Sequence, residues 1–514
     1  MFRTGVQTRP SRAARFPASC DVAVLGGGLA GMATAARLQA AGVSTIVIEA
    51  HGHVGGCAGY YRRRGFSFDV GATTMVDFEP GGVGAELLDS IGMDPVPGEA
   101  LPGYVGWLPD RKVTLYRDTR AWHRERLRAL GDGPGHRAFW SRLDRIAEVF
   151  WDASRAGVRL PIRRPADAVH NLRALGPRGL PLARHLNATL GDVLARHGLR
   201  GDVPLVGLLS MLVEDTVHST VDRAPLINAA LGVTIRGAGL TRADGGMRGF
   251  WRRFAAHYRG LGGRLRVGCE VVRVSGRAGA FEVHTRRGVV HARQVVSALP
   301  AVTTARVVPA LAGPLRPFLE RDEPDLGGAV AVFLGVPDDE VAGQEFTHHQ
   351  LLRDYDRPLG DGNNMFVSVS APGDTESAPP GHRAVMISTH TGLAGWRGLP
   401  DAEYEARKQA VGERLVGLAR RVHPRLGERA RVREVATPRS YERFAFRPDG
   451  AVGGAHQRPR NANQNAVPHS LGVPGLWLVG DSTWPGLGTV ACALGSRIVA
   501  DGALRSARRT AARR

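Results

Sequence analysis

Apolar residues near the start of the chain form two short runs separated by a helical segment. Val22–Leu25 contains no polar residue, which is typical of a buried strand. Met32–Ala41 has helical character, and a second apolar run follows at Ser44–Ile48. The pattern therefore predicts a strand–helix–strand unit of an α/β protein.

After this unit the pattern changes from strand-like alternation to helical periodicity. Tyr60–Met75 alternates apolar or aromatic residues with polar ones, which predicts a half-buried hairpin with its turn at Gly65. From Gly81 to about Thr241, amphipathic helices are interrupted by glycine and proline. The most apolar of them, Pro204–Val213, is too short to cross a bilayer and is predicted to be a core helix of a substrate domain.

The second half of the chain mixes strands with helices. Phe250, Phe254 and Tyr258 recur every four residues, which predicts a helix that ends at the glycines near residue 263. Ala402–His423 is a second amphipathic helix, and Asp354–Glu376 predicts loops around short strands. Strands are predicted at Arg264–Val274, Ala280–Thr285, Val289–Ala298, Gly327–Leu334 and Ala384–Thr389.

The composition is that of a globular protein of more than one domain. With 514 residues the chain exceeds a typical single core, so two or three interleaved domains are expected. The four cysteines, Cys20, Cys57, Cys269 and Cys492, show no C-x-x-C spacing. They fit a reducing compartment and argue against a disulfide framework or a metal site.

The formal net charge of +20 favours an anionic partner. Lys112 and Lys408 are the only lysines, and this arginine bias is also typical of genomic codon bias. Because no helix-turn-helix, zinc finger or basic-aromatic platform is present, nucleic acid is not expected and an anionic membrane surface is favoured. Residues 1–20 carry arginines but no apolar signal core, which predicts a flexible basic arm. A cytoplasmic protein peripherally associated with the inner face of the membrane is expected.

A glycine-rich turn follows the first strand. Gly26, Gly28 and Gly31 have G-x-G-x-x-G spacing, and Glu49 ends the second strand roughly twenty residues later. The glycines permit a tight turn, close approach to a pyrophosphate and close helix–strand packing, while backbone N–H groups at the helix start attract phosphates. The Glu49 carboxylate can accept hydrogen bonds from a ribose. A bound dinucleotide is predicted, and the residues assigned to it are Gly26, Gly28, Leu29, Ala30, Gly31, Glu49 and Ala50.

Two further segments indicate which dinucleotide binds. Gly55–Gly56 closely follows the second strand, where large flavoproteins pass the diphosphate again. Near the C-terminus a short strand, Leu476–Val479, leads to Asp481, whose carboxylate can accept hydrogen bonds from a ribityl chain. A helix then begins at Gly488–Val490, and its positive end would stabilise a reduced flavin. These segments predict FAD, bound by Gly55, Gly56, Gly480, Asp481, Gly488, Thr489 and Val490.

Asp21–Met75 resembles the flavin-dependent amine oxidase and carotenoid desaturase superfamily. Its GGCAGYYRRRGFSFDVGATTM segment is most similar to carotenoid isomerases and desaturases, which carry GG-x-x-(S/A)-GYY-x-R-x-GF-x-FDVG. Amine oxidases usually place an arginine directly after the glycine pair, where this chain has Cys57. Arg62, Arg63 and Arg64 are then candidates for neutralising the diphosphate, although they also fit a solvated hairpin tip.

The C-terminal pattern, D-G-x-V-G-G-x-x-Q followed by GLWLVGDS-x-x-PG-x-GT, is most similar to bacterial carotenoid 3,4-desaturases. In the superfamily a strand in mid-chain contacts the adenine side of FAD through its backbone. The matching residue here is Val272, within one position, and such a valine also fits simple sheet packing. The resemblance implies an α/β fold: an FAD-binding Rossmann-like domain with an interleaved α+β substrate domain and a helical, membrane-facing part.

The predicted division of the chain follows from the order of these motifs. The FAD-binding domain takes residues 21–95, 241–300 and 461–514. Residues 96–240 form the helical substrate and membrane-facing region, and residues 301–460 form a substrate domain with an antiparallel sheet.

The resemblance implies an FAD-dependent desaturase that acts on a carotenoid or another polyene lipid in an apolar tunnel, with Pro204–Val213 as part of its wall. A hydride would pass to flavin N5, a proton would leave the adjacent carbon, and oxygen or a quinone would accept the electrons. No catalytic residue is assigned. Candidates for assistance, each of which also fits a structural role, are Glu214, Asp215, His218, His348 and His349.

Three other functions are compatible with the fold. A carotenoid cis–trans isomerase would use reduced FAD at the same site without net redox change. A flavin amine oxidase would need an aromatic cage and usually an arginine at position 57. A non-catalytic prenyl-lipid-binding protein would keep the fold without flavin, but the intact Glu49, Asp481 and Gly488–Val490 argue against it.

Overall fold

A computed structural model describes residues 19–179, 185 and 187–511. The predicted basic arm lies outside these residues except for Ser19 and Cys20, which begin the first strand. The strands are β1 Ser19–Leu25, β2 Thr45–Ile48, β3 Tyr60–Arg63, β4 Phe66–Asp69, β5 Met75–Val76, β6 Gly98–Ala100, β7 Gly103–Trp107, β8 Lys112–Tyr116, β9 Leu240–Ala243, β10 Arg264–Arg266, β11 Val271–Arg277, β12 Ala280–Thr285, β13 Gly288–Ser297, β14 Gly327–Pro337, β15 His348–Leu352, β16 Asn364–Val369, β17 His382–Gly392, β18 Val432–Ala436 and β19 Leu476–Leu478.

The helices are distributed along the whole described chain. They are α1 Leu29–Ala40, α2 Val83–Ser90, α3 Thr119–Leu130, α4 Pro134–Arg155, α5 Pro165–Gly179, α6 Leu190–Arg196, α7 Val203–Val217, α8 Leu226–Thr234, α9 Gly246–Gly260, α10 Ala301–Val307, α11 Pro309–Asp322, α12 Asp401–Ala419, α13 Pro438–Ala445 and α14 Thr489–Ala511. No helix among the described residues is both long enough and apolar enough to cross a membrane.

The first sheet gathers strands from three distant parts of the chain. Its parallel core has the order β10–β2–β1–β13–β19, and β12 and β11 extend β13 as an antiparallel arm. Leu25 is paired with both Ile48 and Ser297, and Ser297 is also paired with Leu478. Because these residues end four parallel strands, the segments that follow them converge at one edge of the sheet.

The second sheet is mixed, with the order β18–β14–β17–β16–β15–β7–β8, and β15 and β7 are its parallel pair. Helix α12 packs on one face, where Val330, Val332 and Leu334 of β14 point. Phe333, in the same strand, points to the other face and meets the β3–β4 hairpin. The side chains alternate because successive strand residues face opposite sides.

Helices α3–α8 form a separate apolar layer beside the second sheet. Its core includes Trp140, Phe139 and Leu212, all of which are fully buried. Helix α7, which contains the predicted Pro204–Val213 segment, lies in this core and packs against α8 and β15. The predicted core helix is therefore confirmed.

The predicted α/β fold class, with a Rossmann-like domain and a second mixed domain, is confirmed, whereas the membrane-facing part stays a prediction. The predicted domain boundaries also stay predictions. Residues 96–240, predicted to be helical, begin with strands β6, β7 and β8, and the last two join the second sheet. Helix α1 begins at Leu29, three residues before the predicted start, because it forms directly after the Gly28 cap.

Candidate functional site

A cavity of 1180 Å³ extends from the carboxyl edge of the first sheet to the second sheet. This volume lies above the range of about 300–1,000 Å³ that is common for ligand pockets. Glycine-rich turns line one part of the cavity, and apolar side chains of α4, α7, α8 and the second sheet line the other. The two linings suit a cofactor with a second, apolar molecule beside it.

The glycine turns present bare backbone to the cavity. Gly26 has a φ of +99°, and a Cβ atom on Gly31 would lie 2.2 Å from the Gly26 carbonyl oxygen. The second glycine pair packs on the first turn, because the Gly55 N–H donates to the Gly27 carbonyl at 2.9 Å. A Cβ atom on Gly56 would lie 3.2 Å from the Gly28 Cα atom. This close packing leaves N–H groups and no side chains where a diphosphate would approach.

Glu49 is fixed at the end of β2 by backbone donors. Its Oε2 atom accepts from the Gly27 N–H at 2.5 Å, and its Oε1 atom accepts from the His51 N–H at 2.7 Å. Burial raises the pKa of Glu49, and these two hydrogen bonds oppose the rise. A carboxylate has about four acceptor sites, so the side chain can still accept from a ribose.

The C-terminal residues approach the cavity from the opposite side. Gly480 has a φ of +122°, which allows the chain to turn directly after β19 and to present Asp481. Asp481 forms a salt bridge with Arg447, in which its Oδ2 atom lies 2.8 Å from the Nη2 atom of the arginine. Helix α14 begins at the wall, where the Thr489 hydroxyl accepts from the Val76 N–H at 3.0 Å. Its positive end therefore points into the cavity.

The structure brings nearly all of the predicted FAD residues together. Val272 is the exception: its side chain is 53% exposed, and the neighbouring Val271 lines the cavity instead. The pairing of β11 with β12 is irregular at this point, between Val271 and Arg273. The residues on the wall are Gly26, Gly28, Leu29, Ala30, Gly31, Glu49, Ala50, Gly55, Gly56, Gly480, Asp481, Gly488, Thr489 and Val490.

The hairpin arginines lie away from the cavity. Arg62, Arg63 and Arg64 are exposed; Arg63 pairs with Glu434 at 3.0 Å, and Arg64 donates to a backbone carbonyl. They are therefore the solvated hairpin tip that the sequence also allowed. Arg447, which no sequence motif predicted, is a buried arginine on the cavity wall and pairs with Asp481.

Glu214 and Asp215 lie at the C-terminal end of α7, on the wall between the two parts of the cavity. Glu214 accepts a hydrogen bond from the Asn364 amide, and its carboxylate lies 3.4 Å from Nδ1 of His390. Asp215 accepts from the Gln350 amide at 3.0 Å. Burial raises the pKa of Asp215, and the nearby positive charges of His390 and Arg236 oppose this rise.

His218 caps α7 in the left-handed conformation, with its ring 4.5 Å from that of His390. Burial holds the pKa of His218 well below its usual range, and the charges of His390, His456 and Arg447 act in the same direction. Burial also lowers the pKa of His390, but the hydrogen bond to Glu214 and the charges of Glu214 and Asp215 outweigh it, so the net shift is upward. His390 was not predicted because no local motif marks it.

His348 and His349 do not line the cavity. Both are buried in β15; His348 stacks on Tyr104 at 5.0 Å and its Nε2 atom lies 3.1 Å from the Ser368 hydroxyl. His349 points to the opposite face of the sheet, where Trp107 Nε1 donates to it at 3.3 Å. Their placement contradicts a role at the reacting atoms, because Tyr104 separates His348 from the cavity and the sheet separates His349 from it.

Apolar side chains line the rest of the cavity up to its mouth. The larger ones are Val76, Trp151, Met211, Val217, Leu231, Ile235, Leu240, Phe333 and Phe366. Phe444 and Phe446, at the end of α13, are 57% and 44% exposed and also line the cavity. Among the described residues there is no cluster of three metal-ligating side chains, and the four cysteines form no disulfide.

Two family models match the chain: an NAD(P)-binding Rossmann-like domain over residues 24–91, and a flavin-containing amine oxidoreductase over residues 223–513, more than half of the chain. Prolycopene isomerase of Daucus carota is 24% identical over 505 residues, covering 92% of this chain and 78% of that protein. The 4,4'-diapolycopene oxygenase of a Methylomonas species is 25% identical, covering 93% of this chain and 97% of that protein.

A solved structure of putrescine oxidase with bound putrescine has a TM-score of 0.62 and 16% identity, covering 95% of this chain and 99% of that one. It shares the fold. These findings confirm the resemblance to carotenoid isomerases and desaturases and the predicted cofactor, FAD. The wall fits this cofactor, because glycine backbone, Glu49, Asp481 and the start of α14 follow one another along it.

Proposed function

Because the chain belongs to the flavin-containing amine oxidoreductase family, we propose that it is an FAD-dependent desaturase of a carotenoid or another long polyene. The observation that carries the proposal is that one cavity has two linings. The part lined by the glycine turns, Glu49 and Asp481 is the FAD cradle, and the part lined by apolar side chains of α4, α7, α8 and the second sheet is the apolar chamber. The relatives named for lycopene-type polyenes support the same substrate class. Rigid conjugated chains need a long apolar site, which the chamber between α7, α8 and the second sheet offers.

When bound, FAD supplies a two-electron acceptor for desaturation, with oxygen or a quinone as the final acceptor. The protein contributes binding and orientation: the glycine turns take the diphosphate, and Glu49 and Asp481 take the hydroxyl groups of the ribose and the ribityl chain. The apolar chamber excludes water and aligns the polyene beside the wall formed by Val70–Thr74.

Glu214 and His390 are the groups best placed to manage a proton. Glu214 lies on the wall, hydrogen-bonded to Asn364 and next to His390, so its carboxylate is held in one orientation. A proton released from the polyene finds an acceptor in Glu214, and the neighbouring imidazole can pass it on. His218, whose pKa is held well below its usual range, stays neutral beside His390 and does not take this proton.

Isomerisation of the same polyene is the second candidate, favoured by the likeness to prolycopene isomerase. The residues that bind FAD and align the polyene would be the same in both reactions. The two differ in whether the product has lost hydrogen, so the mass of the product separates them.

The test is incubation of the purified flavoprotein with acyclic carotenes, once with oxidised FAD and oxygen or a soluble quinone, and once with chemically reduced FAD in the absence of oxygen. A desaturase gives a product lighter by two hydrogens per new double bond, with a red-shifted absorption spectrum. A product of unchanged mass and altered geometry overturns desaturation and establishes the isomerase. Hydrogen peroxide formed from amines, with no change in the carotene, overturns both.

The mouth of the cavity is the proposed contact with the membrane, on its cytoplasmic face. Phe444 and Phe446 are exposed beside Arg443 at the point where a lipid would enter, and the chain as a whole is strongly basic. Sedimentation with anionic vesicles tests this: Phe444→Ser/Phe446→Ser should bind more weakly than wild type. Val289→Ser, an exposed apolar position on β13, is the matched control. Equal binding by both variants and the wild type contradicts the proposal.

A further inference from the structure

The FAD cradle brings negative charges together and needs a nearby cation. A diphosphate carries two negative charges, and the carboxylates of Glu49 and Asp481 lie on the same wall. Like charges brought together in a partly buried site repel strongly unless a positive group lies among them. The position that often holds an arginine after the glycine pair is occupied by Cys57, which cannot supply that charge.

Arginines on the wall occupy three different places. Arg236 lies on the substrate side, over the Tyr104 ring at 5.1 Å. Arg306 is exposed at the end of α10. Arg447 is 9% exposed, and it is the one that pairs with Asp481 on the cavity wall.

The contacts of Arg447 hold its guanidinium at the Asp481 turn, on the wall that it shares with Gly55, Gly56 and Cys57. Nη2 lies 2.8 Å from Asp481 Oδ2, and Nε donates to the Ala451 carbonyl at 2.7 Å. A guanidinium has five N–H donors, so these contacts leave others for a ligand. Burial raises the pKa of the Cys57 thiol, and the charge of Arg447 opposes the rise, which places that charge within electrostatic reach of position 57.

The fold holds Arg447 in place through a tight turn after α13. Phe446 and Asp449 adopt positive φ values of 53° and 55° on either side of it. A Cβ atom on Gly450 would lie 2.1 Å from the Pro438 carbonyl, and one on Gly454 would lie 2.4 Å from the Asp481 carbonyl. The segment is thus packed on the α13 start and on the Asp481 turn, which fixes the guanidinium before any ligand arrives.

We propose that Arg447 neutralises the FAD diphosphate, replacing from the C-terminal part of the chain the arginine that amine oxidases carry after their glycine pair. Its planar fork suits a phosphate, and its pairing with Asp481 holds it on the cavity wall with N–H donors left over for a ligand. The inference rests on FAD binding by this family and does not depend on which polyene reaction the protein performs.

The test is the affinity of Arg447→Gln for FAD, measured by flavin fluorescence after dialysis, with ADP and adenosine as competitors. Loss of a charge-assisted contact to the diphosphate weakens FAD and ADP binding by about 10- to 100-fold and leaves adenosine binding unchanged. A merely structural role weakens ADP and adenosine equally, and that result overturns the proposal. So does an FAD affinity within twofold of wild type.

Three further variants complete the experiment. Arg443→Gln removes the same charge from the exposed face of α13, off the cavity wall, and should leave FAD affinity unchanged. Arg447→Lys keeps the charge without the fork and should fall between wild type and Arg447→Gln. Cys57→Arg combined with Arg447→Gln moves the guanidinium to the position found in amine oxidases. Recovery of FAD and ADP affinity supports the proposal even if Arg447→Gln alone is unstable, and failure to recover contradicts it.

Discussion

Gly31 shows how a single missing methyl group keeps the nucleotide-binding turn closed. In Gly31→Ala the new Cβ atom would lie 2.2 Å from the Gly26 carbonyl oxygen and 2.9 Å from the Ala298 Cβ atom. Because both neighbours belong to the turn and to the sheet edge, α1 has to move away from them. We expect the variant to lose about 1–3 kcal/mol of unfolding free energy and much of its flavin. The flavin-to-protein ratio and urea denaturation measure both effects.

The control for this prediction is Gly417→Ala in α12, where an added Cβ atom meets nothing within 4 Å. It should keep full flavin and a similar or slightly higher stability, because alanine favours helix. Full flavin retention by Gly31→Ala would contradict the prediction.

The Glu214–His390 pair predicts a pH dependence at residue scale. The hydrogen bond to Glu214 and the charges of Glu214 and Asp215 together keep the pKa of His390 raised despite burial. In Glu214→Gln the charge of Glu214 is lost and only that of Asp215 remains, so the pKa of His390 falls. A pH–rate profile, or an NMR titration of the histidines, should show the corresponding transition at lower pH than in wild type. The control is Glu413→Gln, which alters an exposed ion pair with Arg433. This variant should leave the pH of the His390 transition unchanged.

At this scale, the residues that sequence reasoning found are those whose role is local. Gly26, Gly28 and Gly31 are required by one turn, so their spacing alone predicts their placement. His390 and Arg447 act through neighbours that lie far away in the chain, at Glu214 and Asp481. No periodicity or spacing marks such residues, since only the packing of distant elements brings the partners together.

Helices α1, α2 and α14 are joined by one buried side chain, Arg37, which is 7% exposed. Its guanidinium donates to Glu86 at 2.6 Å, to Ser90 at 2.8 Å and to Ser496 at 3.1 Å. In Arg37→Met these acceptors lose their donor, and Glu86 is only partly solvated. We expect a loss of about 2–4 kcal/mol in unfolding free energy, measured in urea.

Arg425→Met is the comparison, because it removes a surface arginine that pairs with the exposed Asp339. Surface pairs of this kind contribute about 0–1 kcal/mol, so the two variants should differ clearly. Equal effects would show that Arg37 does not join the three helices as the contacts indicate.

The sequence predicts an element well where one of its faces is exposed to water and the other is buried, because polar and apolar residues then alternate with the period of that element. Helix α12 has a polar face and an apolar face; it begins one residue before the predicted start, Ala402, and ends at Ala419, four residues before the predicted end, His423. Strand β15 was missed because His348, His349 and Gln350 make it look polar, although every residue in it is buried. Tertiary partners such as Ser368 and Trp107 pair with several of its polar atoms, and the local sequence does not reveal these partners.

The molecule as a whole should lose stability in mild acid because several of its histidines are buried. Burial lowers the pKa of His423 to about 4. Below about pH 6.5 the unfolded chain binds a proton that the folded protein does not, so unfolding free energy falls as the pH decreases. Replacing His423 with leucine removes the group that binds this proton in the unfolded chain. Between pH 6.5 and pH 5.5 the variant should lose about 1 kcal/mol less than wild type.

Urea denaturation at the two pH values gives the measurement. Val422→Ala is the control, since it shortens a buried side chain beside His423 without changing any titrating group. It should lower stability equally at both pH values. A His423→Leu variant with the same pH dependence as wild type would contradict the prediction.

At this largest scale the fold class followed from the order of motifs along the chain: fingerprint, glycine pair and C-terminal turn. Strands β1, β13 and β19 lie side by side as that order implies. The mixed sheet was only partly anticipated, because β7 and β8 come from the segment predicted to be helical.

The pairing of β19 with β13 has a consequence for how the protein is made. Asp481 and the start of α14 are synthesised more than 400 residues after Glu49, yet they share the FAD wall with it. A nascent chain therefore presents Glu49 and the first glycine turn as an open half-site until Asp481 and the start of α14 have been translated. Contacts so distant in sequence form slowly, and a ligand that binds only the closed form stabilises it by mass action. We therefore expect a larger supply of FAD during synthesis to raise the yield of folded protein.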